Sequence, residues 1–196
     1  MHVKEDPLPP AFFPVGLNLE GRSCVVIGLE NDREAAEKAR ALEEAGADVR
    51  RIVDPKELRE EDLSNAFFVI STPHDAELSA RLRTLAEKDR FLLCCIDQPA
   101  YGFVAMQATV KAGPARFTIS SGGVSPAVSR RWREAIEAAT GAKFVRFLQA
   151  LRRQRNRNRS LADPEARKRA GRRAADGFSV KVDVRYPQWF EEMENE

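Results

Sequence analysis

Three stretches of this chain carry side chains that could do chemistry. Asp97 closes the apolar run Phe91–Ile96 (FLLCCI). A carboxylate left at the mouth of a buried strand is desolvated, which raises its pKa and suits it to taking up and returning a proton. The plainer reading is an Asp that forms the turn before Gln98-Pro99. The second stretch is Ser120-Ser121-Gly122-Gly123-Val124-Ser125-Pro126, a hydroxyl-rich turn running into a helix start, with Ser125 as cap and Pro126 at the first position. Ser120, Ser121, Gly122, Gly123 and Ser125 would offer hydroxyls and amides to a carboxylate or phosphate, with Arg130 behind them. An ordinary capped loop followed by solvated arginines is the alternative. The third stretch is the turn Gly28-Leu29-Glu30-Asn31-Asp32-Arg33, placed after an apolar strand and before a helix, where a dinucleotide pyrophosphate would lie. Only the first glycine of that fingerprint is present, and Glu30, Asp32 and Glu34 put carboxylates at the phosphate position. Two readings stand: a nucleotide turn using Gly28, Leu29, Glu30, Asn31 and, from the next crossover, Thr72, or a turn of the same shape that binds no nucleotide.

The elements that must position these groups follow from periodicity. Ser23–Gly28, Asp48–Val53, Ala66–Ser71 and Phe91–Ile96 are short apolar runs without polar alternation, the pattern of parallel strands buried on both faces. Helical patterns lie between them, over about 32–45 with Ala35, Ala39 and Leu42 on one stripe, and over 76–88 with Leu78, Leu82 and Leu85. Asn31 and Glu34 have capping-box spacing, and Gly46 stops the first helix. The alternation predicts an α/β fold with a Rossmann-like parallel sheet over residues 16–110. Its strand ends carry Gly28, Thr72 and Asp97, which is where an open parallel sheet binds ligands. Beyond it come a strand at 116–120, helices from Pro126, over 143–158 and from Pro164, and the alternating run Phe178, Val180, Val182, Val184, Tyr186, read as a half-buried strand.

Composition sets limits. With 196 residues, 43% apolar and 32% charged, the chain can bury a core, which excludes full disorder. Three cysteines in apolar runs and two histidines give neither a disulfide framework nor a metal-ligand spacing, so no metal site is assigned. No run is long enough for a membrane span and no leader is recognised, so the expected setting is cytoplasmic, with no membrane partner. The net charge of +2 is unevenly spread: residues 152–173 hold ten Lys/Arg against Asp163 and Glu165, a net +8, leaving −6 for the rest. Such a segment calls for an anionic partner. Nucleic acid is set aside, because the segment has no interleaved aromatics and no known module.

The order of these pieces resembles a known family. Phe12-Phe13-Pro14-Val15-Gly16-Leu17-Asn18-Leu19-Glu20-Gly21 leads into the first strand, and Gly46-Ala47-Asp48-Val49, Ile96-Asp97-Gln98-Pro99 and Ser120–Ala127 follow. Over roughly residues 12–140 the chain is similar to the siroheme-synthase N-terminal domain family, precorrin-2 dehydrogenases of which some are also sirohydrochlorin ferrochelatases. The resemblance implies a Rossmann-like NAD(P)-binding-type domain with a degenerate glycine loop over 1–110, a dimerisation and tetrapyrrole-site region over 111–140, and a helical basic C-terminal region with a terminal strand over 141–196. It implies siroheme biosynthesis: oxidation of precorrin-2 to sirohydrochlorin with NAD as cofactor, Fe²⁺ as the substrate of chelating members, and a homodimer. Asp97 then matches the family's general base, and Ser121 a serine at the tetrapyrrole site. The +8 segment would suit a ring bearing eight carboxylates. Gly28-Leu29-Glu30 stands where the family has three glycines, and Thr72-Pro73-His74-Asp75 where it has Thr-Asp-Asp. These departures keep a second reading open, an NAD-independent chelatase or a non-catalytic tetrapyrrole-binding relative.

Overall fold

The computed structural model describes residues 12–194. Its contacts form two compact units, one reaching Val110 and resuming over Arg116–Ile136, the other made of Lys111–Ala115 and the chain from Glu137 onward.

The first unit is built on four strands, β1 (Ser23–Ile27), β2 (Asp48–Ile52), β3 (Phe68–Ser71) and β4 (Leu92–Cys95), all parallel in the order β2-β1-β3-β4. Helix α1 (Arg33–Glu43) carries the chain from β1 to β2, and α2 (Ala76–Asp89) from β3 to β4. The strands alternate between two cores. Val25, Ile27, Val69, Leu93 and Cys95 pack with Leu78, Leu82 and Leu85 of α2 and with Leu58 and Leu63. Leu58 and Leu63 come from the link between β2 and β3, which folds as two short 3-10 turns, Pro55–Glu57 and Glu60–Leu63. Cys24, Val26, Phe68, Ile70, Cys94 and Ile96 face the other way, onto Ala35, Ala39 and Leu42 of α1. Burial on both sides is why these strands read as continuous apolar runs. Strand order reverses between β1 and β3, so the crevice between their carboxyl ends is the switch point where such sheets take ligands.

After β4 the chain forms a two-stranded hairpin, β5 (Ala108–Ala112) and β6 (Ala115–Ile119), and then α3 (Pro126–Ala139). Gly113, at the turn, has φ +59°, the left-handed conformation a two-residue hairpin loop requires. In the second unit α4 (Ala142–Asn158) packs on α5 (Pro164–Ala175), and α6 (Gln188–Glu194) follows. Asp163 caps α5, accepting from the amides of Glu165 at 2.9 Å and Ala166 at 3.1 Å. No helix among the described residues is long and apolar enough to cross a membrane.

Two expectations are corrected. Residues 178–186 form no strand: the segment has no pairing partner among the described residues, and Val180 and Val182 are more than 60% exposed. Alternation states a preference, and a strand also needs a neighbour to bond to. The cap of α1 is Asp32, one residue later than Asn31.

Candidate functional site

Asp97 sits in a turn at the end of β4, where the Gln98 amide donates to the Cys95 carbonyl at 3.2 Å. The turn holds Asp97 at φ +57°. Its side chain is 76% exposed, so the desolvation expected of a residue following an apolar strand is absent. It points outward because the strand has already ended and the turn lifts it clear of both cores. His74 stands across from it, with Nε2 3.7 Å from Asp97 Oδ2.

The Ser120–Ser125 turn is held by its own hydroxyls. Ser120 Oγ accepts from the Gly122 amide at 3.1 Å. Ser121 Oγ accepts from the Ser125 amide at 3.1 Å and donates to the Ser125 carbonyl at 2.8 Å. Ser125 Oγ accepts from the Val128 amide at 3.3 Å, which is the N-cap bond expected from sequence. Gly122 and Gly123 have φ +64° and +81°, so side chains there would be strained.

These two stretches open onto one cavity of about 700 Å³, within the first unit. Asp97, Ser120, Gly122, Gly123 and Pro126 line it, together with Cys94, Cys95 and Ile96 of the β4 end and Met106 and Gln107. Ser121, whose hydroxyl is turned into its own loop, is not in the lining, nor is Ser125. Arg130 is on the surface, its Nε donating to Glu134 at 3.0 Å. Glu34 and Lys38 of α1 also reach the cavity, paired at 3.3 Å. Sequence reasoning missed Lys38. The signal was available: it lies four residues after Glu34, on the same helix face, above the strand ends. Burial raises the Cys94 thiol to about 11 and pushes Cys95 the same way, so both are protonated and unreactive at neutral pH.

The nucleotide candidates lie at the switch point. Gly28 is buried, and a Cβ on it would fall 2.5 Å from Thr72 Oγ1 and 2.6 Å from the Ala35 Cβ, so glycine is needed for α1 to close on β1. Leu29, Glu30 and Asn31 are exposed. Asp32 occupies the start of α1: its Oδ1 accepts from the amides of Glu34 at 2.8 Å and Ala35 at 3.1 Å. Thr72 Oγ1 donates to Asp32 Oδ2 from the end of β3, so the pair bridges the crevice between β1 and β3. The Thr72 hydroxyl, followed by the two amides, holds the Asp32 carboxyl below the usual carboxylate range.

With that geometry in place, comparison with known proteins is informative. Residues 15–108 match the family described as "Putative NAD(P)-binding". A siroheme synthase of Ectopseudomonas mendocina is 31% identical over 167 residues, 76% of this chain and 36% of that protein. One from Nitrosospira multiformis is 27% identical over 215 residues, 94% of this chain and 45% of that protein. Over these stretches the chain is similar to the siroheme-synthase N-terminal domain family. It spans about a third to less than half the length of these curated relatives. Among solved structures, one named "SirC, precorrin-2 dehydrogenase" superposes with a TM-score of 0.70 at 20% identity, covering 85% of this chain and 90% of that one. At that identity the likeness establishes the Rossmann-like fold.

The match over residues 15–108 is to a domain of the nicotinamide-dinucleotide-binding class. At the start of α1 the phosphate half of such a cofactor would have to displace the Asp32 carboxylate or lie beside it. The amides of Glu34 and Ala35 that would meet a pyrophosphate already donate to Asp32, and a second carboxylate, Glu30, stands in the same turn. A phosphate entering there meets negative charge where the class offers bare amides.

Proposed function

We propose that this chain acts in siroheme biosynthesis as a precorrin-2 dehydrogenase, forming sirohydrochlorin at the Asp97 cavity. The observation that carries the reading is that one cavity of about 700 Å³ joins Asp97 to the serine–glycine turn. Its volume lies in the range that small-ligand sites occupy. In this reading Asp97 takes the proton that the ring loses on oxidation, and the accompanying hydride would pass to NAD⁺. Its exposed position leaves it within reach of a bound ligand. Ser120, Gly122 and Gly123 line the wall against which carboxylate arms would lie, and Ser121 with Ser125 fixes the shape of that wall through their paired hydrogen bonds. Lys38 supplies a cation at the same mouth. In the second unit, Arg155, Arg159, Arg167 and Lys168 line a groove between α4 and α5, a cationic surface that draws in a ligand with eight carboxylates. The working form is a homodimer.

A second reading is favoured by the Asp32–Thr72 bridge: a chelatase that inserts Fe²⁺ into sirohydrochlorin and needs no dinucleotide, with Asp97 accepting the displaced pyrrole protons. One set of assays separates the two. Purified protein is given precorrin-2 with and without NAD⁺, and sirohydrochlorin with Fe²⁺ alone, and each product is followed by absorbance. NAD⁺-dependent appearance of sirohydrochlorin supports the dehydrogenase. Metal insertion without NAD⁺, lost in Asp97→Ala, supports the chelatase. Absence of both products overturns both readings.

A further inference from the structure

The sheet brings His74 and Asp97 together. Strands β3 and β4 are parallel neighbours in which Ser71 pairs with Cys95, and the Ile96 amide donates to the Ser71 carbonyl at 2.9 Å. The turns that follow leave the same edge side by side, and His74 Nε2 lies 3.7 Å from Asp97 Oδ2. Both turns are tied down. Gln98 Nε2 donates to the Pro73 carbonyl at 3.5 Å, joining one turn to the other. Pro73 has a fixed φ just before His74. Asp75, just after it, caps α2 by accepting from the amides of Glu77 and Leu78, both at 3.0 Å. His74 is thus held between a proline and a helix cap, and the backbone sets its place opposite Asp97.

The two residues differ in what they face. Asp97 lines the cavity and His74 does not. A ligand filling the cavity covers one side of Asp97 and leaves the His74 side open to water, since the His74 side chain is 68% exposed. The other groups near the pair are occupied. Glu34 and Lys38 reach the cavity from α1 and pair with each other at 3.3 Å. The Asp75 carboxylate is taken by the α2 amides. Burial keeps the thiols of Cys94 and Cys95 protonated. Among the described residues no other ion pair reaches Asp97. Imidazole is the side-chain group that gains and loses a proton near neutral pH, so it can carry one from a carboxyl to water. Rotation of either exposed side chain closes 3.7 Å to hydrogen-bond length, and such contacts are often long before a ligand binds.

We propose that His74 is a positioning residue acting through Asp97: it holds the Oδ2 side of the carboxyl, takes the proton that Asp97 has removed from the bound ring, and releases it to water. The protons balance. Asp97 gains one from the ring, gives it to Nε2 and is a carboxylate again, and the imidazolium gives one to water and is neutral again. The hydride of the oxidation passes to NAD⁺ and takes no part in this path. The inference rests on Asp97 as the base of the proposed reaction, and it serves either product, since oxidation frees one proton at the ring and metal insertion frees two.

Steady-state kinetics on the full chain provides the test, with precorrin-2 and NAD⁺ or with sirohydrochlorin and Fe²⁺, for each pair that the wild type converts. In His74→Ala, kcat is expected to fall about tenfold with KM unchanged. Imidazole added to the solution should restore kcat in this variant and do nothing for the wild type or for Asp97→Asn. His74→Gln keeps a hydrogen-bonding side chain without a titrating group, so it should lose as much as His74→Ala. The side chain is exposed, so melting temperatures should match the wild type. Unchanged kcat in the His74 variants, a rise in KM alone, or a loss that imidazole leaves in place overturns the inference while the assigned reaction stands. Wild-type turnover in His74→Gln alone also overturns it, because a hydrogen bond would then suffice. A wild type that converts neither pair overturns the assigned reaction and this inference with it.

Discussion

Asp97 combines two properties that conflict in most residues. It stands in the left-handed region, and it carries a carboxylate that lines the cavity at the end of β4. Left-handed backbone costs a non-glycine residue about 1 kcal/mol, and such strain at a cleft points to a side chain kept for use. Asp97→Gly should therefore keep or slightly raise the melting temperature while abolishing turnover of the tetrapyrrole. A clear loss of stability would show that the residue is structural. Asp32 gives a prediction with a pH sign. Its folded pKa is depressed, so its ionised form contributes stability above the ordinary carboxylate value, and that contribution is lost as pH falls through the depressed one. Asp32→Ala should cost about 1–2 kcal/mol at pH 7, with a smaller deficit near pH 3, measured by urea unfolding at both pH values. A deficit independent of pH would mean that the carboxylate charge is not what the amides of α1 hold.

The two helices that flank the sheet depend on their buried stripes more than on intrinsic helix preference. Leu82 is fully buried between α2 and the β1–β3–β4 face. Leu82→Ala should cost about 2–5 kcal/mol in chemical unfolding while leaving ligand affinity in the cavity unchanged, since Leu82 belongs to the core away from it. Elements of this kind were legible in the sequence. The four strands and both flanking helices follow from apolar runs and the spacing of Leu78, Leu82, Leu85 and of Ala35, Ala39, Leu42, because each buries a face against a close neighbour along the chain. The Ser125–Pro126 helix start was equally readable, since a cap is a local matter. Where the sequence misled, a partner distant in the chain decides the outcome. Whether 178–186 becomes a strand depends on what lies beside it. The spacing puts Lys38 on one helix face with Glu34, but only the fold sets that face against the end of β4.

Over the whole chain, charge is partitioned, with the +8 segment 152–173 confined to the second unit and −6 left for the remainder. Within that segment Arg155, Arg159, Arg167 and Lys168 line the α4–α5 groove, with Glu165 among them. Replacing all four cations by Gln should lower the association rate of sirohydrochlorin by about tenfold at low salt, a difference that shrinks as ionic strength rises through the physiological range, read by stopped-flow absorbance. An equal loss at every salt concentration would locate the effect in the fold of α4 and α5. The dinucleotide question has the same scale. Likeness to the family runs over the whole sheet, while the fit of a phosphate turns on a few atoms around Asp32.

Cys94 and Cys95 are neighbours in sequence yet belong to opposite cores, because consecutive residues of a strand point to opposite faces. Two thiols so placed, with protonation favoured at both, cannot close a bridge with each other while the sheet is intact. Each sulfur becomes available to an alkylating reagent only when the layer covering its own side lifts away.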